Sequence, residues 1–210
     1  MDLDFGELRM AFGEQSRVFV DLVDQTADLS TPTMLEGWDC GVLVGHVSTA
    51  VEALWRWQGE PPPDVPEIDA VGWWDGLAPE LNDDFAQRYA AKRSHDQLRE
   101  LVDSAVRQAN EMLPTAAPDA TLVAPGGAAW ARYDQVLATR IVEVTVHGLD
   151  LAAAIGSETV MSSAALAITG QILDERLDGA RPPDLGDDAR WVPVATGRAA
   201  HPDPRLPVVA

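Results

Sequence analysis

The segment RIVEVTVHGLDL, residues 140–151, decides the fold, because it is apolar on nearly all sides of a helix and still carries Glu143 and His147. A helix that is apolar all round is buried in a protein core. An ionised carboxylate in such a helix is costly unless it is paired or bound to a metal ion. The segment therefore predicts a largely buried helix, about residues 133–155, whose carboxylate needs a partner.

Apolar residues at helical spacing predict four further helices outside this segment. The first three are expected at residues 3–27, 39–54 (with Asp39 as the cap) and 83–113. A fifth helix is expected to begin at a Ser162 or Ser163 cap and to end near Leu177. The predicted fold class is all-α, with a metal-binding four-helix bundle at residues 1–160, then an extra helix and an irregular tail at residues 161–210.

Two regions are predicted to be irregular because they are rich in proline. Residues 59–82 form a long loop, in which the adjacent tryptophans Trp73 and Trp74 favour a packed lid over a free linker. In the tail after residue 181, Pro182, Pro183 and Gly186 indicate irregular structure, and residues 190–195 are predicted as a short strand.

The composition excludes several classes of protein. With 34 acidic residues against 15 basic ones, the formal charge is −19, so nucleic acid is not an expected partner. No apolar run reaches the roughly 20 residues that span a bilayer, and the first residues lack the pattern of a secretory signal. No membrane association is expected, and the cytoplasm is the expected location. Because Cys40 is the only cysteine, metal ligands must be histidines and carboxylates.

A metal site is predicted where two helices meet. Glu143 and His147 stand at positions i and i+4, which places both side chains on one helix face. His46 precedes Glu143 by 97 residues and can face the same ion from a neighbouring antiparallel helix. Two imidazoles and one carboxylate suit a divalent metal such as Zn²⁺ and leave a fourth position for water or substrate. Such a site is suited to holding hydroxide or a thiolate near neutral pH.

Other interpretations of these residues stay open. Glu143 and His147 could form a surface hydrogen-bonded pair, His147 could be a core histidine, or Glu143 could be buried against Arg140. For Arg140 we favour this structural pairing over binding of a substrate carboxylate. Asp150 could fix the tautomer of a ligand imidazole, as second-shell carboxylates do, or be a surface charge at the end of the helix.

The remaining reactive or aromatic side chains receive no catalytic role. Cys40 is interpreted as an inert core residue, and His95 and His201 are expected to be exposed. The tryptophans of the loop and of the neighbouring segments line a pocket or belong to the core: Trp55, Trp57, Trp73, Trp74 and Trp130.

Three stretches resemble a known family. They are TMLEGWDCGVLVGH at residues 33–46, RIVEVTVHGLDL at residues 140–151 and TGR at residues 196–198. They look like segments of the DinB-like metal-binding bundles, and within these of the N-terminal domain type of mycothiol-dependent maleylpyruvate isomerase, as a small single-domain member. The resemblance covers about residues 3–155 and implies His46, Glu143 and His147 as ligands of a divalent metal, with Zn²⁺ expected.

The resemblance also implies a function. The chain is expected to be a metal-dependent thiol enzyme, with mycothiol as cosubstrate, in which a metal-bound thiolate attacks a small electrophile in S-transfer or in cis-trans isomerisation. The alternative is a bundle that binds metal or a small ligand without turnover, in a stress or assembly role. Metal-assisted hydrolysis ranks last because no general acid is evident. The oligomeric state stays open, with a homodimer as one alternative.

Overall fold

The computed structural model describes residues 3–61, 63–76, 79–124, 127 and 129–209, and for residues 76 and 79–83 it describes the backbone only. Within these residues the chain forms seven α-helices and one antiparallel pair of strands. The helices are α1 (Phe5–Gln25), α2 (Cys40–Arg56), α3 (Pro79–Ala90), α4 (His95–Met112), α5 (Tyr133–Ile155), α6 (Ser163–Arg176) and α7 (Asp188–Ala195), and the strands are β1 (Thr121–Val123) and β2 (Trp130–Arg132).

Helix α5 is the central element of a four-helix bundle. It packs against α1 and α2, and α4 packs against the same two helices and completes the bundle. Val136, Leu137 and Ile141 of α5 are fully buried, as expected for a helix that is apolar on nearly all sides. The prediction of an all-α bundle is confirmed, and the small strand pair does not change the class.

Capping side chains set several of the helix starts that the sequence predicted. The Asp39 carboxylate accepts a hydrogen bond of 2.8 Å from the Val42 amide and so fixes the start of α2. Ser162 caps α6 by accepting from the Ala165 amide. Helix α5 ends at Gly156, which has φ 64°, a left-handed conformation that favours glycine.

The single helix predicted at residues 83–113 is wrong, because the structure has two helices there. Helix α3 ends at Ala90 and α4 begins at His95. The break is a capping box in which Ser94 accepts from the Gln97 amide while the Gln97 side chain accepts 2.8 Å from the Ser94 amide. These bonds satisfy the amides that a continuous helix would bond to its own carbonyls.

The proline-rich regions are also more regular than predicted. Within the predicted loop the described residues include a 3₁₀ helix at Trp73–Gly76 and the start of α3 at Pro79, while residues 62, 77 and 78 lie outside the described part. The short strand predicted at residues 190–195 is wrong: these residues belong to α7, which Asp187 caps by accepting from the Ala189 amide.

The C-terminal helices pack on the bundle. Helix α6 lies against α1 and α5, and α7 lies against α6. Trp191 of α7 is buried. It is 0% exposed and belongs to the same hydrophobic cluster as Phe12 and Ile141. A division of the chain at residue 160 stays a prediction. Among the described helices, none is long and apolar enough to cross a membrane.

Candidate metal centre

The contact between α2 and α5 brings His46, Glu143 and His147 together. His46 Nε2 lies 3.1 Å from Glu143 Oε2, and His147 Nε2 lies 3.3 Å from the same oxygen. One turn further along, Arg140 donates to the Ala50 carbonyl, so residue numbers rise on α2 as they fall on α5. The two helices are therefore antiparallel neighbours, as the sequence analysis required for this convergence.

The geometry of the three side chains fits a small divalent cation. One donor atom from each residue lies within 4.8 Å of the others. Bonds of about 2.0–2.2 Å to a tetrahedral ion place two donor atoms about 3.3–3.6 Å apart. Glu143 Oε2 lies 3.1 Å and 3.3 Å from the two imidazole nitrogens, which is close to this range. Two neutral imidazoles and one carboxylate also match the donor types of catalytic zinc sites. No other such cluster of His, Cys, Asp or Glu lies in the described part of the chain.

Trp38 covers the two imidazoles and is 6% exposed. Its ring meets His46 edge-on, with centroids 5.1 Å apart, and stacks on His147 at 6.1 Å. The preceding Gly37 has φ 76°, which a residue with a Cβ would adopt only with strain, and this turn brings the indole over the site. The described contacts leave the three side chains about one tenth exposed, at 10% for His46, 13% for Glu143 and 12% for His147.

Asp150 binds His147 through Nδ1, the imidazole nitrogen that does not contact Glu143. Its Oδ2 lies 2.9 Å from His147 Nδ1, so Nδ1 carries the hydrogen and Nε2 faces Glu143. Asp150 is 0% exposed, which excludes the alternative of a surface charge. Arg198 then donates to both oxygens of Asp150, from Nε and Nη2, each at 2.9 Å. The carboxylate is thus clamped between an imidazole and a guanidinium.

Arg140 does not form the ion pair with Glu143 that we favoured from the sequence. It is 3% exposed, and its guanidinium donates to Thr139 Oγ1 and to the Ala50 carbonyl. Trp57 and Trp73 stack on each other and flank it, with Arg140 Cζ 5.8 Å and 5.0 Å from their ring centroids. These two tryptophans therefore lie beside Arg140, one helical turn from Glu143.

Hydrogen bonds control protonation in the cluster. Burial alone would raise the pKa of Glu143, but the hydrogen bonds from His147 and His46 outweigh it and hold this pKa well below the usual value. Burial alone would lower the pKa of His147, but bonds to Asp150 and Glu143 raise it to about 9. Without a metal ion, His147 is therefore protonated at neutral pH, and its positive charge compensates the neighbouring carboxylates of Glu143 and Asp150.

The other residues considered from the sequence lie outside this cluster. Cys40 is buried, and burial raises the pKa of its thiol to about 11, which agrees with an inert core residue. The side chain of His95 is 47% exposed, as expected. His201 is not exposed: its side chain is 12% exposed and pairs with Asp184 at 3.2 Å.

Two residues of the site had no assigned role in the sequence analysis, Trp38 and Arg198. Both lie in segments that carried the family resemblance, the Gly-Trp before α2 and the short TGR tail. Their contacts depend on how loops return to the bundle, which helical spacing does not reveal.

Comparison with known proteins decides the family. Residues 10–152, more than half of the chain, match the sequence family described as mycothiol maleylpyruvate isomerase N-terminal domain. The chain belongs to this family. The match includes α2 and most of α5, and it ends before the segment that carries Arg198.

Two solved structures resemble the chain. One is the crystal structure of the mycothiol-dependent maleylpyruvate isomerase, with 19% identity, a TM-score of 0.60 and coverage of 84% of this chain and 71% of that chain. The other is a histidine-to-alanine mutant of the mycothiol-dependent maleylpyruvate isomerase, with 18% identity and the same score and coverage. At this identity the likeness shows the fold. No curated protein matches the chain.

Proposed function

We propose that this chain is a metal-dependent thiol enzyme that uses mycothiol to attack a small electrophile, in S-transfer or in isomerisation. The convergence of His46, Glu143 and His147 around one position supports this proposal most directly. The family, which is named for a mycothiol-dependent isomerase, supports the choice of thiol. We also propose Zn²⁺ as the metal and the cytoplasm, where low-molecular-weight thiols stay reduced, as the location.

The residues of the chain would each contribute to this chemistry. His46 Nε2, Glu143 Oε2 and His147 Nε2 would hold the cation. A bound divalent cation lowers the pKa of a coordinated thiol, so that the sulfur is available as thiolate near neutral pH. Because Asp150 binds His147 Nδ1, Nε2 of this imidazole remains available to the cation. Trp38 shields the two imidazoles from water. Both candidate reactions begin with attack of the sulfur on an electrophilic carbon.

The test is conjugation of mycothiol to monochlorobimane, in which a C–S bond forms and chloride leaves. We expect the purified protein to contain a divalent metal and to accelerate the reaction, and His147→Ala to lose both. His95→Ala, a matched change at an exposed histidine, should keep both. Bound metal with no turnover of any thiol would overturn the enzymatic proposal and leave the non-catalytic alternative, and full activity of metal-free protein would overturn the metal's role.

A further inference from the structure

Residues 71–75, which we call the Trp73 segment, lie over one end of the contact between α2 and α5. Trp73 is 5% exposed, its ring stacks on Trp57 with centroids 5.7 Å apart, and Arg140 Cζ lies 5.0 Å from its centroid. Arg140 stands one helical turn, about 5.4 Å along the axis, before Glu143. Displacement of Trp73 would therefore uncover Arg140 and bring solvent to within one turn of the proposed metal ligands.

The Trp73 segment is held from outside by one residue, Arg176 at the end of α6. Arg176 Nη1 donates to the Val71 carbonyl, and Nη2 donates 2.8 Å to Asp75 Oδ1. The guanidinium also lies 5.9 Å from the ring centroid of Trp74. Within the described part of the chain, Arg176 supplies every hydrogen bond that joins these residues to another helix or strand. It therefore acts as a latch on the segment.

The chain immediately before the Trp73 segment is anchored separately. The Ala70 amide donates 3.1 Å to Gln135 Oε1 of α5, and the Ile68 amide donates 2.9 Å to the Trp130 carbonyl of β2. These bonds fix the chain as far as Ala70 and do not involve Arg176. Release of the latch would thus free residues 71–75 and leave the residues before them in place.

Trp38, the aromatic residue that covers the two imidazoles, is held in a different way. Its carbonyl accepts from the Thr33 amide at 3.0 Å and from the Thr33 hydroxyl at 2.9 Å, and its own amide donates 3.1 Å to the Leu35 carbonyl. The next residue, Asp39, caps α2. Because backbone bonds fix both sides of Trp38, Trp73 is the aromatic side chain near the site that is free to move.

The latch is poised to release because the bonds of Arg176 are incomplete. Its Nε is buried and has no hydrogen-bond partner among the described residues. A buried donor without a partner costs free energy, and opening would let water reach it. The Asp75 side chain is 69% exposed, and ion pairs with an exposed partner are weak. Both features lower the free energy that separates the closed segment from an open one.

We propose that the Trp73 segment is a gate, which Arg176 holds closed and whose opening admits ligands to the site between α2 and α5. The side chains of His46, Glu143 and His147 are between 10% and 13% exposed, so a thiol or an electrophile needs a wider opening to reach them. Reclosure returns Trp73 to Trp57 and excludes water from the bound ligands. The admission of ligands rests on the proposed function, whereas the opening itself does not.

The first test follows the indoles by ¹⁹F NMR of protein labelled with 5-fluorotryptophan, with Trp73→Phe and a Trp38 substitution assigning the two resonances. TEMPOL, a small neutral nitroxide, broadens the resonances of exposed indoles. Arg176→Gln should increase the broadening of the Trp73 resonance at least about tenfold, and Asp75→Asn about two- to fivefold. The Trp38 resonance should not change. Arg107→Gln, a matched change at an exposed arginine of α4, should affect neither resonance.

Equal broadening of the Trp73 resonance in the wild type, Arg176→Gln and Asp75→Asn overturns the proposal. Asp75→Asn changes a mostly exposed side chain, so this comparison holds even where Arg176→Gln does not fold. An increase that the Trp38 resonance shares in both variants would mean a general loosening of the fold and would equally overturn the proposal.

The second test measures exchange of Zn²⁺ with a chromophoric chelator and needs no thiol. Opening the gate widens the entrance but changes none of the proposed ligands, so Arg176→Gln and Asp75→Asn should accelerate uptake and loss of Zn²⁺ equally and leave the affinity unchanged. Unchanged rates, or a lowered affinity that marks a merely structural role of Arg176, would overturn the gate. Protein that binds no Zn²⁺ but shows the latch-dependent exposure of Trp73 would overturn only the proposed function.

Discussion

At the scale of single residues, Arg198 supports the site without touching the proposed ligands. It clamps Asp150 through two bonds of 2.9 Å, and Asp150 in turn orients His147. Removing the guanidinium leaves a buried carboxylate with one partner fewer and a less constrained imidazole. We therefore expect Arg198→Ala to weaken metal binding about 10- to 100-fold, measured by competition with a chromophoric chelator.

The control for this prediction is Arg107→Ala, which removes an arginine whose side chain is 63% exposed on α4 and should leave metal affinity unchanged. Arg198→Lys keeps the charge but loses the bidentate geometry, so an intermediate affinity is expected. Wild-type affinity in Arg198→Ala would mean that Asp150 holds His147 without help from the tail.

The pH dependence of stability follows from His147 in the metal-free protein. Its pKa is raised from 6.5 to about 9 in the folded state, so the folded state binds this proton more tightly than the unfolded state. The stabilisation is fully present below about pH 6.5 and is lost as the pH rises to about 9, by about 3 kcal/mol. Urea unfolding across this range, with chelator present, measures it.

His147→Gln cannot gain this proton, so its free energy of unfolding should change much less between pH 6.5 and pH 9. Glu143 and Asp150 act in the opposite sense, because their pKa values are lowered in the folded state. Their stabilisation is present at a pH above the usual carboxyl pKa and is lost as the pH falls into the acid range. A flat wild-type profile between pH 6.5 and pH 9 would contradict the prediction for His147.

At the scale of secondary-structure elements, α4 depends on the capping box that the sequence analysis missed. Ser94 and Gln97 satisfy each other's amides at the start of the helix. Ser94→Ala removes one of these acceptors and should lower the free energy of unfolding by about 1 kcal/mol. Chemical denaturation measures the change, and Ser104→Ala, within the same helix, should have a much smaller effect.

The helices that were predicted correctly have caps and apolar patterns within their own sequence. Helix α5 is apolar on nearly all sides of its central segment, and α2 has both a capping Asp39 and a regular apolar stripe. The break between α3 and α4 falls in a polar stretch, residues 92–97, and was missed because the apolar residues on both sides were assigned to one helix. The Ser94 cap marks the new start. A short strand was predicted at residues 190–195, whereas these residues form α7, which begins at the Asp187 cap and buries Trp191.

The candidate site shows the same division between local and long-range information. Glu143 and His147 share a helix face, so their spacing predicts that they act together. His46 follows once a bundle is assumed. The clamp on Asp150 comes from Arg198, 48 residues further along the chain, and no periodic pattern connects the two. Residues in loops and tails become part of the site only through tertiary packing.

At the scale of the whole molecule, the C-terminal helices complete the core that the bundle begins. Trp191 is 0% exposed and its Nε1 donates 3.3 Å to the Gly170 carbonyl of α6. Its hydrophobic cluster continues without a break into α1 and α5. Because Arg198 lies three residues after the end of α7, the packing that buries Trp191 also helps to position the guanidinium that clamps Asp150.

This continuous core predicts that the chain unfolds as one cooperative unit and that a substitution that destabilises α7 also destabilises α5. Trp191→Ala should lower the free energy of unfolding by about 3–5 kcal/mol and should also weaken metal binding through Arg198. Trp191→Phe keeps most of the buried volume but loses the hydrogen bond to Gly170. Loss of this bond should lower the free energy of unfolding by about 1 kcal/mol, in addition to the effect of the smaller buried apolar area. Circular dichroism reports the helices and tryptophan fluorescence reports tertiary packing, and their urea transitions should coincide in the wild type. Two separate transitions, with metal affinity unchanged in Trp191→Ala, would instead mean that residues 161–210 fold independently of the bundle and that the site does not depend on them.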